Sequence, residues 1–584
     1  MSDAFLGIFE GGFDPAVGLA RDGKLLAFAE EERFLRNKHA KGFYPIRSLK
    51  FCLDYAGLRP QDIGAIGINW DVPSYTDGTI ARFFGGMRRQ WEVDERTIGW
   101  QKWICRYYDE TAVRERHAMA WRHAFGDIAL PALHAVPHHY VHALQAFMQS
   151  PFDDALCMTI DGSGDQHCTV LWECHGDRIE PIYEIKIPHS LGWFYAACTE
   201  YLGFEAYDGE YKVMGLAAYG KPNDEIRSRL SRMIAPAADG IGYRIGPTYV
   251  HYGKRSWSER FTDRLPELMG RLPRSENAPL EEWHFDFAFA VQEALEQAAI
   301  RLAEWGARKV GSGNVCISGG VGLNVKMNTK LFDADGIKRI FPHPLCSDSG
   351  AAAGVALAAS WRLGGARPEK LRTLALGNEE SESQIEDTLK RCRMPYERPA
   401  DIAREVAGEL ARGSVVGWFQ GRMEAGPRAL GQRSILADPR DAASRDRVNA
   451  VIKYREPWRP FCPSMTKESA SRYLEAHDDA PFMIIAFRAN DRMKQDAPAV
   501  VHVDGTVRVQ LVEADVNPLY HRLLRAFEDL TGVPILLNTS FNVKGEPIVC
   551  SAVDAIRTFA GTGMDILAIG PFLVRKDDWS IRSK

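Results

Sequence analysis

The sequence predicts an α/β protein of two lobes. Three observations carry that reading: a strand–loop–strand–turn–strand unit occurs twice in the N-terminal third, a strand near residue 318 runs through a Gly-Gly pair into a helix, and the vocabulary of the chain changes near residue 395. At 584 residues the chain is too long for one ordinary core. With 45% hydrophobic and 26% charged residues it has the balance of a globular protein rather than a disordered one.

The first unit, FLGIFEGGFDPAVGLARDGKLLAFAEEER, reads as an apolar strand, a Gly/Asp loop, a second strand, a turn at Asp22-Gly23 and a third strand. The stretch ALCMTIDGSGDQHCTVLWECHGDRIEPIYEI repeats the plan, with its loop at Asp161 to Asp165 and its turn at Gly176-Asp177. Such a repeat signals an internal duplication. Glycine permits close approach, so both loops can present backbone N–H groups to a phosphate. Either loop alone also fits an ordinary hairpin; its recurrence favours the functional reading.

Between the two units, LHAVPHHYVHALQ places His138 and His142 four residues apart. On a helix they share one face and lie close enough to hold one metal ion. Two imidazoles make half a site, so carboxylates must come from elsewhere. His139 would face away and serve packing or a supporting contact, and His134 has no assigned role. Residues 70–125 are rich in Trp, Tyr and Arg and read as an insertion, either a packed helical cap or a wall of an aromatic-lined pocket.

Apolar residues recur at helical spacing across 283–307, with no Pro and no Gly before Gly306, which predicts a long helix. NVCISGGVGLN follows as the strand–Gly-Gly–helix segment, a shape shared by nucleotide sites and plain tight turns. Asp348 stands just ahead of a small-residue helix that can pack closely on a sheet or a ligand. The first domain is expected over 1–365, a linker over 366–394 and a second domain over 395–584. That second domain concentrates Arg428, Arg433, Lys453, Arg455 and Arg459 around Gly and Pro turns, then ends a strand in LNTSFN. Arg forks and hydroxyls suit a small anion, and solvated surface charge is the plainer alternative.

A net charge of −5 and the lack of any Lys/Arg run argue against a nucleic-acid partner. The 11 cysteines contain no C-x-x-C pair, so a disulfide framework and a zinc ribbon are both unexpected. The N-terminus lacks a signal-peptide pattern and no window of 18 apolar residues exists, so a cytoplasmic protein without a membrane span is expected.

The strings AFAEEERFLRNKH, HHYVHA, DGEYKVMGLAAYG, SGGVGLN, GPRALGQRSILADPR and LNTSFNVKGEPIV occur in one order along nearly the whole chain. In them the sequence resembles the O-carbamoyltransferases of the nodulation-protein and antibiotic-tailoring type. The resemblance implies an N-terminal lobe with the duplicated actin-like ATPase fold (ribonuclease-H-like), similar to the tRNA threonylcarbamoyl-transfer enzyme. It implies a C-terminal α/β lobe similar to the threonylcarbamoyl-adenylate synthase domain. The implied activity is ATP-dependent conversion of carbamoyl phosphate to carbamoyl-adenylate, then transfer of the carbamoyl group to a hydroxyl of a small molecule, a sugar or a polyketide natural product.

Carried over residue by residue, the resemblance implies metal ligands at His138, His142, Asp161 and Asp348. The mixed N/O set suits iron, zinc or manganese, with Mg accompanying the nucleotide. It implies ATP contacts at Gly162, Ser163, Gly164, Glu210, Lys212, Gly319, Gly320 and Asn324. A carbamoyl phosphate pocket is implied at Arg428, Lys453, Arg459, Arg508, Asn538, Thr539 and Ser540, the first three acting in catalysis. Arg508 lies in VHVDGTVRVQ, whose strand-like alternation would put it on the side of His502. Many relatives carry His-Asp in the first loop where this chain has Phe13-Asp14; the base that deprotonates the acceptor then falls to Asp14, for which a turn-stabilising role is the alternative. Two other functions stand beside the first: a nucleotide-gated binding or scaffold protein that keeps the fold without group transfer, and a fused tRNA threonylcarbamoylation enzyme. Oligomeric state is not readable from the sequence.

Overall fold

The structure is a computed structural model that describes residues 3–10, 12–252, 259–456 and 458–578. It divides into two compact units, Met1–Phe9 with Ala16–Leu26 and Cys52–Lys370, and Glu10–Pro15 with Ala27–Phe51 and Leu371–Lys584. Among the described residues no helix is long and apolar enough to cross a membrane.

The first unit holds two five-stranded sheets of one topology. In the first, β1 (Ala4–Phe9), β2 (Ala16–Arg21) and β3 (Lys24–Glu30) are followed by β4 (Ile63–Ile68) and β5 (Ala132–Ala135), in the spatial order β3-β2-β1-β4-β5. The second runs β6 (Asp154–Gly164), β7 (His167–His175), β8 (Arg178–Lys186), β9 (Asn314–Ser318) and β10 (Arg339–Pro342), ordered β8-β7-β6-β9-β10. In each sheet the hairpin strands are antiparallel and the last two strands join in parallel, β1 to β4 to β5 and β6 to β9 to β10. The duplication read from the two loops is therefore a duplication of whole sheets.

Each half closes with a helix, His138–Met148 after β5 and Asp348–Gly364 after β10. The Asp348 helix lies on β1, β2 and β4 and against the His138 helix, which itself packs on β6 and β9. The small residues noted in the sequence explain the closeness. A Cβ on Gly7 would stand 2.0 Å from the Ala352 carbonyl oxygen, so the strand accepts the helix only where it has no side chain. The predicted long helix spans Glu282–Val310. Residues 70–125 fold mainly as helices Val72–Thr76, Thr79–Gln90, Glu95–Tyr107 and Glu110–Phe125, with Phe84, Val113 and Trp121 buried, which is the packed cap.

The second unit is built on a seven-stranded mixed sheet. Its strands are β11 (Val416–Phe419), β12 (Arg433–Ala437), β13 (Cys462–Thr466), β14 (Gln510–Val512), β15 (Ile535–Ser540), β16 (Ile566–Ile569) and β17 (Phe572–Arg575), ordered β14-β13-β15-β12-β11-β16-β17. Helices Ile402–Ala411 and Pro518–Thr531 bury Val406, Leu410, Leu523 and Phe527 with Trp418 and Leu536 of the sheet. The strand expected across 501–508 is corrected: Asp504-Gly505 makes a turn, with the Gly505 N–H donating to the His502 carbonyl and φ of 77° at Gly505. A turn has no alternation, so the shared side of His502 and Arg508 loses its basis.

Candidate active site

The fold brings the four expected metal ligands together. His138 and His142 occupy the first two turns of their helix, fully buried, with ring centroids 4.7 Å apart. Asp161 lies where the β6–β7 ladder breaks between Ile160 and Gly164, an irregularity that turns its side chain out of the pleat. Asp348 is the first residue of its helix, one place inside the Ser347 cap rather than ahead of it. Since each half ends in such a helix, His138 and Asp348 hold equivalent places in the two halves.

Asp161 Oδ2 lies 3.7 Å from His138 Nε2 and 3.6 Å from His142 Nε2, and Asp348 Oδ1 lies 3.6 and 3.8 Å from the same two nitrogens. Ligand bonds of about 2.1 Å around a tetrahedral centre give edges of about 3.4 Å, so these separations match atoms facing one cation. His138 Nε2, His142 Nε2 and Asp348 Oδ1 are buried with no hydrogen-bond partner. Buried polar atoms normally have partners, and three orphans converging on one point fit a metal ion. Burial opposes protonation of His138, but Asp161 and Asp348 overcome it and raise the ring to about 9. Burial, with His138 beside it, holds His142 down at about 3.

The supporting contacts are equally ordered. Ser318, the last residue of β9, places its hydroxyl 3.0 Å from His142 Nδ1, and the Asn69 carboxamide, just past β4, stands 3.3 Å from His138 Nδ1. Turned with Oδ1 to the ring, Asn69 accepts the Nδ1 proton and leaves Nε2 as a lone pair. Asp165 accepts the backbone N–H of His138 at 3.0 Å and that of Asp71 at 3.0 Å, fixing the start of the helix. Its carboxyl is pushed up to about 6 by burial. Trp70 stacks on Tyr108 of the cap at 4.4 Å and packs against His138 at 5.1 Å. His139 bonds Thr159 and the His167 carbonyl, a core contact.

Two of the expected nucleotide segments meet at the same carboxylate, and Asn324, Glu210 and Lys212 have partners of their own. Asp161 accepts the N–H groups of Gly162 at 2.6 Å and Gly320 at 3.0 Å, so the Gly319-Gly320 turn meets Gly162–Ser163–Gly164, which form the irregular end of β6 rather than the loop expected at Asp161 to Asp165; the chain turns only at Asp165. Asn324 caps the helix Val325–Phe332 and exchanges hydrogen bonds of 2.9 Å with Gln292. Glu210 opens the helix Glu210–Leu216, accepts the Tyr207 N–H and is raised to about 7 by burial. Tyr195, hydrogen-bonded to Gln292, has its phenol pushed up by burial and by the charges of Glu296 and Glu210, which ties Glu210 to the Asn324 neighbourhood. Lys212 Nζ sits over the Phe204 ring at 5.5 Å.

In the second unit, Lys453 is buried and donates to Ser540 Oγ at 3.2 Å, the Asn542 carbonyl at 3.0 Å and Asn542 Oδ1 at 2.9 Å, besides the Ser540 carbonyl. Burial pushes its ammonium down, and the charges of Arg455 and Arg459 push the same way. Arg459 faces Glu456 at 3.7 Å. Asn538 donates to the Ala429 carbonyl, next to Arg428, and to Ser464; Cys462 pairs with it across the β13–β15 ladder and accepts from Arg508 Nε at 2.9 Å. Thr539 pairs with Ile435 on β12. The strand end thus joins Lys453, Asn538, Ser540 and Arg508 in one network; Asn538 is a buried brace rather than an open donor.

Asp14, the expected base, faces a ring of its own: its Oδ1 lies 2.9 Å from His39 Nδ1. Sequence reasoning missed His39, Asn69, Ser318 and Asp165. Only Asp165, at the end of the repeated loop, left a readable signal.

Comparison with known proteins matches residues 5–357 to the family model described as carbamoyltransferase N-terminus and residues 407–576 to that described as carbamoyltransferase C-terminus. An uncharacterised protein of Synechocystis is 35% identical over 98% of this chain and 96% of its own. The nodulation protein NolNO of Sinorhizobium fredii is 36% identical over 97% of this chain and 80% of its own. A protein named 3'-hydroxymethylcephem-O-carbamoyltransferase, from Amycolatopsis lactamdurans, is 36% identical over 46% of this chain and 49% of its own. With both halves matched and relatives this similar over almost its full length, the chain belongs to the carbamoyltransferase family.

Proposed function

We propose that this O-carbamoyltransferase takes carbamoyl phosphate and ATP, forms carbamoyl-adenylate, and transfers the carbamoyl group to a hydroxyl of a small molecule such as a sugar or a polyketide, in natural-product tailoring in the cytoplasm. The observation that supports it best is the convergence of two orphaned imidazole nitrogens and two carboxylates on one point. His138, His142, Asp161 and Asp348 would hold a divalent iron, zinc or manganese ion. When bound, it supplies positive charge for the adenylate's phosphate oxygens.

The first unit then acts as an actin-like ATPase lobe within residues 1–365, and 395–584 as the lobe that processes carbamoyl phosphate, joined by 366–394. In the first, the Gly162–Gly164 end of β6 and the Gly319-Gly320 turn would line the phosphates, with the Gly162 and Gly320 N–H groups holding Asp161, while Asn324, Glu210 and Lys212 hold the nucleoside. In the second, Arg428, Lys453, Arg459 and Arg508 with Thr539 and Ser540 neutralise a dianion and orient its P–O bond for cleavage. Purified enzyme incubated with ATP, carbamoyl phosphate and Mn²⁺ or Fe²⁺ should release pyrophosphate and accumulate carbamoyl-adenylate detectable by mass. Neither product under those conditions would refute the reading.

A further inference from the structure

Within the second unit, the loops that carry the expected carbamoyl phosphate residues are held by side chains rather than by strand or helix ladders. Residues 420–432 join β11 to β12 and bear Arg428, and residues 541–551 follow β15 and its Ser540. In the first loop the Ala429, Leu430 and Gly431 carbonyls accept from Asn538 Nδ2 at 3.1 Å, Gln510 Nε2 at 2.9 Å and Trp418 Nε1 at 2.9 Å. Glu424 Oε1 accepts the Leu430 N–H at 2.7 Å and the Arg433 N–H at 3.2 Å. A buried carbonyl that loses its donor costs free energy, so such a loop keeps its shape while each donor stays in place.

Two further donors reach these loops from the helix Glu31–Leu35, which belongs to the same unit although it lies near the start of the chain. Arg33 Nη2 donates to the Gly426 carbonyl at 2.7 Å, two residues before Arg428. Arg36, the residue that caps the helix, donates from Nη1 to the Ile548 carbonyl at 2.6 Å and from Nη2 to the Pro547 carbonyl at 2.8 Å. One short helix therefore grips both loops, with one guanidinium on each. Glu30 and Glu32 pin Arg33 at 3.0 and 3.3 Å, and Asp554 and Glu546 flank Arg36 at 3.4 and 3.6 Å. Arg36 also sits at φ of 55° and ψ of 28°, a left-handed cap that favours glycine. Strained backbone kept at a residue whose side chain is fully engaged points to a task for that side chain.

We infer that Arg36 and Arg33 are positioning residues for carbamoyl phosphate, setting the two loops at the spacing the dianion needs. The inference rests on the proposed function, which puts the dianion among Arg428, Lys453 and Ser540. The path from Arg36 is short. Asn542 Nδ2 donates to the Glu546 carbonyl at 2.6 Å, and the Val549 N–H donates to the Phe541 carbonyl at 2.9 Å, so Pro547 and Ile548 move with Ser540 to Asn542. Asn542 Oδ1 in turn accepts from Lys453 at 2.9 Å. Both Nη atoms of Arg36 are given to carbonyls, which leaves the fork to hold the loop rather than the ligand. The stretch 395–584 thus does not complete its own pocket; it takes two arginines from a helix near residue 33.

Arg36→Gly is a clean variant, because glycine takes the φ of 55° without strain, so the fork is lost while the backbone is eased. Carbamoyl phosphate, titrated by calorimetry, should bind this variant about 10–100-fold more weakly than the wild type, the worth of a charge-assisted hydrogen bond, while ATP binding stays as it was. Guanidinium added at a non-denaturing concentration should restore part of the loss, and sodium chloride at the same concentration none. Arg36→Lys keeps the charge without the two-pronged fork, so it should stay weakened. In Arg33→Lys the ammonium, drawn to Glu30 and Glu32, should release the Gly426 carbonyl and weaken binding in the same direction. Wild-type affinity in Arg36→Gly or Arg36→Lys, a parallel loss of ATP binding, or no response to guanidinium would overturn the inference; wild-type affinity in Arg33→Lys would overturn it for Arg33. Wild-type enzyme that binds no carbamoyl phosphate would instead remove the proposed function on which the inference stands.

Discussion

The Ser318 hydroxyl lies 3.0 Å from His142 Nδ1, joining the end of a strand to a helix residue 176 positions away in the chain. A ligand histidine binds through one nitrogen only if the other is held in the right protonation state, and such supporting contacts change metal affinity by about 10–100-fold. Ser318→Ala and Asn69→Ala should each retain the fold and weaken Mn²⁺ or Zn²⁺ binding by that factor, measured by competition with a chromogenic chelator. Unchanged affinity in both would show that the two contacts serve packing alone.

Gly164 stands against the metal cluster in a way that a single methyl group would upset. A Cβ there would lie 2.1 Å from His138 Cδ2 and 2.4 Å from its Cγ, so the ring must swing aside. Overpacking of this kind costs about 1–3 kcal/mol, and the displaced imidazole loses its aim. Gly164→Ala should therefore lower both thermal stability and bound metal. At Gly99, in the helix Glu95–Tyr107, an added methyl group would meet no atom within 4 Å, and Gly99→Ala should instead be stabilising by about 0.5–1 kcal/mol.

His138 and His142 were legible because a helix brings residues four apart onto one face, and the recurring pattern marked the segment that holds Asp161, whose place as a ligand came from the family resemblance. Asp348 could be placed only through the family resemblance, since its partners lie in the other half of the duplication. Ser318 and Asn69 left no trace: each ends a strand whose position depends on the whole sheet, and Ser or Asn after a strand is common. His39 was hidden for another reason. Its neighbourhood, RNKHAKG, reads as solvated charge, and the loop that gives it meaning is set by backbone contacts to Gly12 and Asp14 that no periodicity encodes. At 501–508 local alternation misled outright, because Asp504-Gly505 has the chemistry of a turn, and a turn outweighs a few alternating side chains.

Lys453 is where the proposed carbamoyl phosphate pocket can be tested. Its ammonium meets the Asn542 carbonyl, Asn542 Oδ1 and Ser540, while burial and the nearby Arg455 and Arg459 work against its charge. Lys453→Met keeps the apolar stem and removes the donor. A charge-assisted hydrogen bond is worth about 1.5–3 kcal/mol, so carbamoyl phosphate should bind on the order of 10²-fold more weakly by calorimetry. Affinity equal to that of the wild type would place the dianion elsewhere.

Glu210 offers a test through pH. Burial raises its carboxyl from the ordinary 4.5 to about 7, with the Tyr207 N–H pulling the other way. An acid whose pKa is raised by folding is held in the neutral form, so the folded state binds more protons than the unfolded state between those two values. Stability must then fall as pH climbs through about 4.5 to 7, and the whole cost, about 3 kcal/mol at 1.36 kcal/mol per unit, is present above that window. Glutamine keeps the acceptor for Tyr207 and has no proton to lose. Glu210→Gln should therefore unfold at a higher temperature than the wild type at about pH 8, and the two midpoints should converge at about pH 5. Curves that stay parallel across this range would mean that Glu210 is solvated as an ordinary carboxylate.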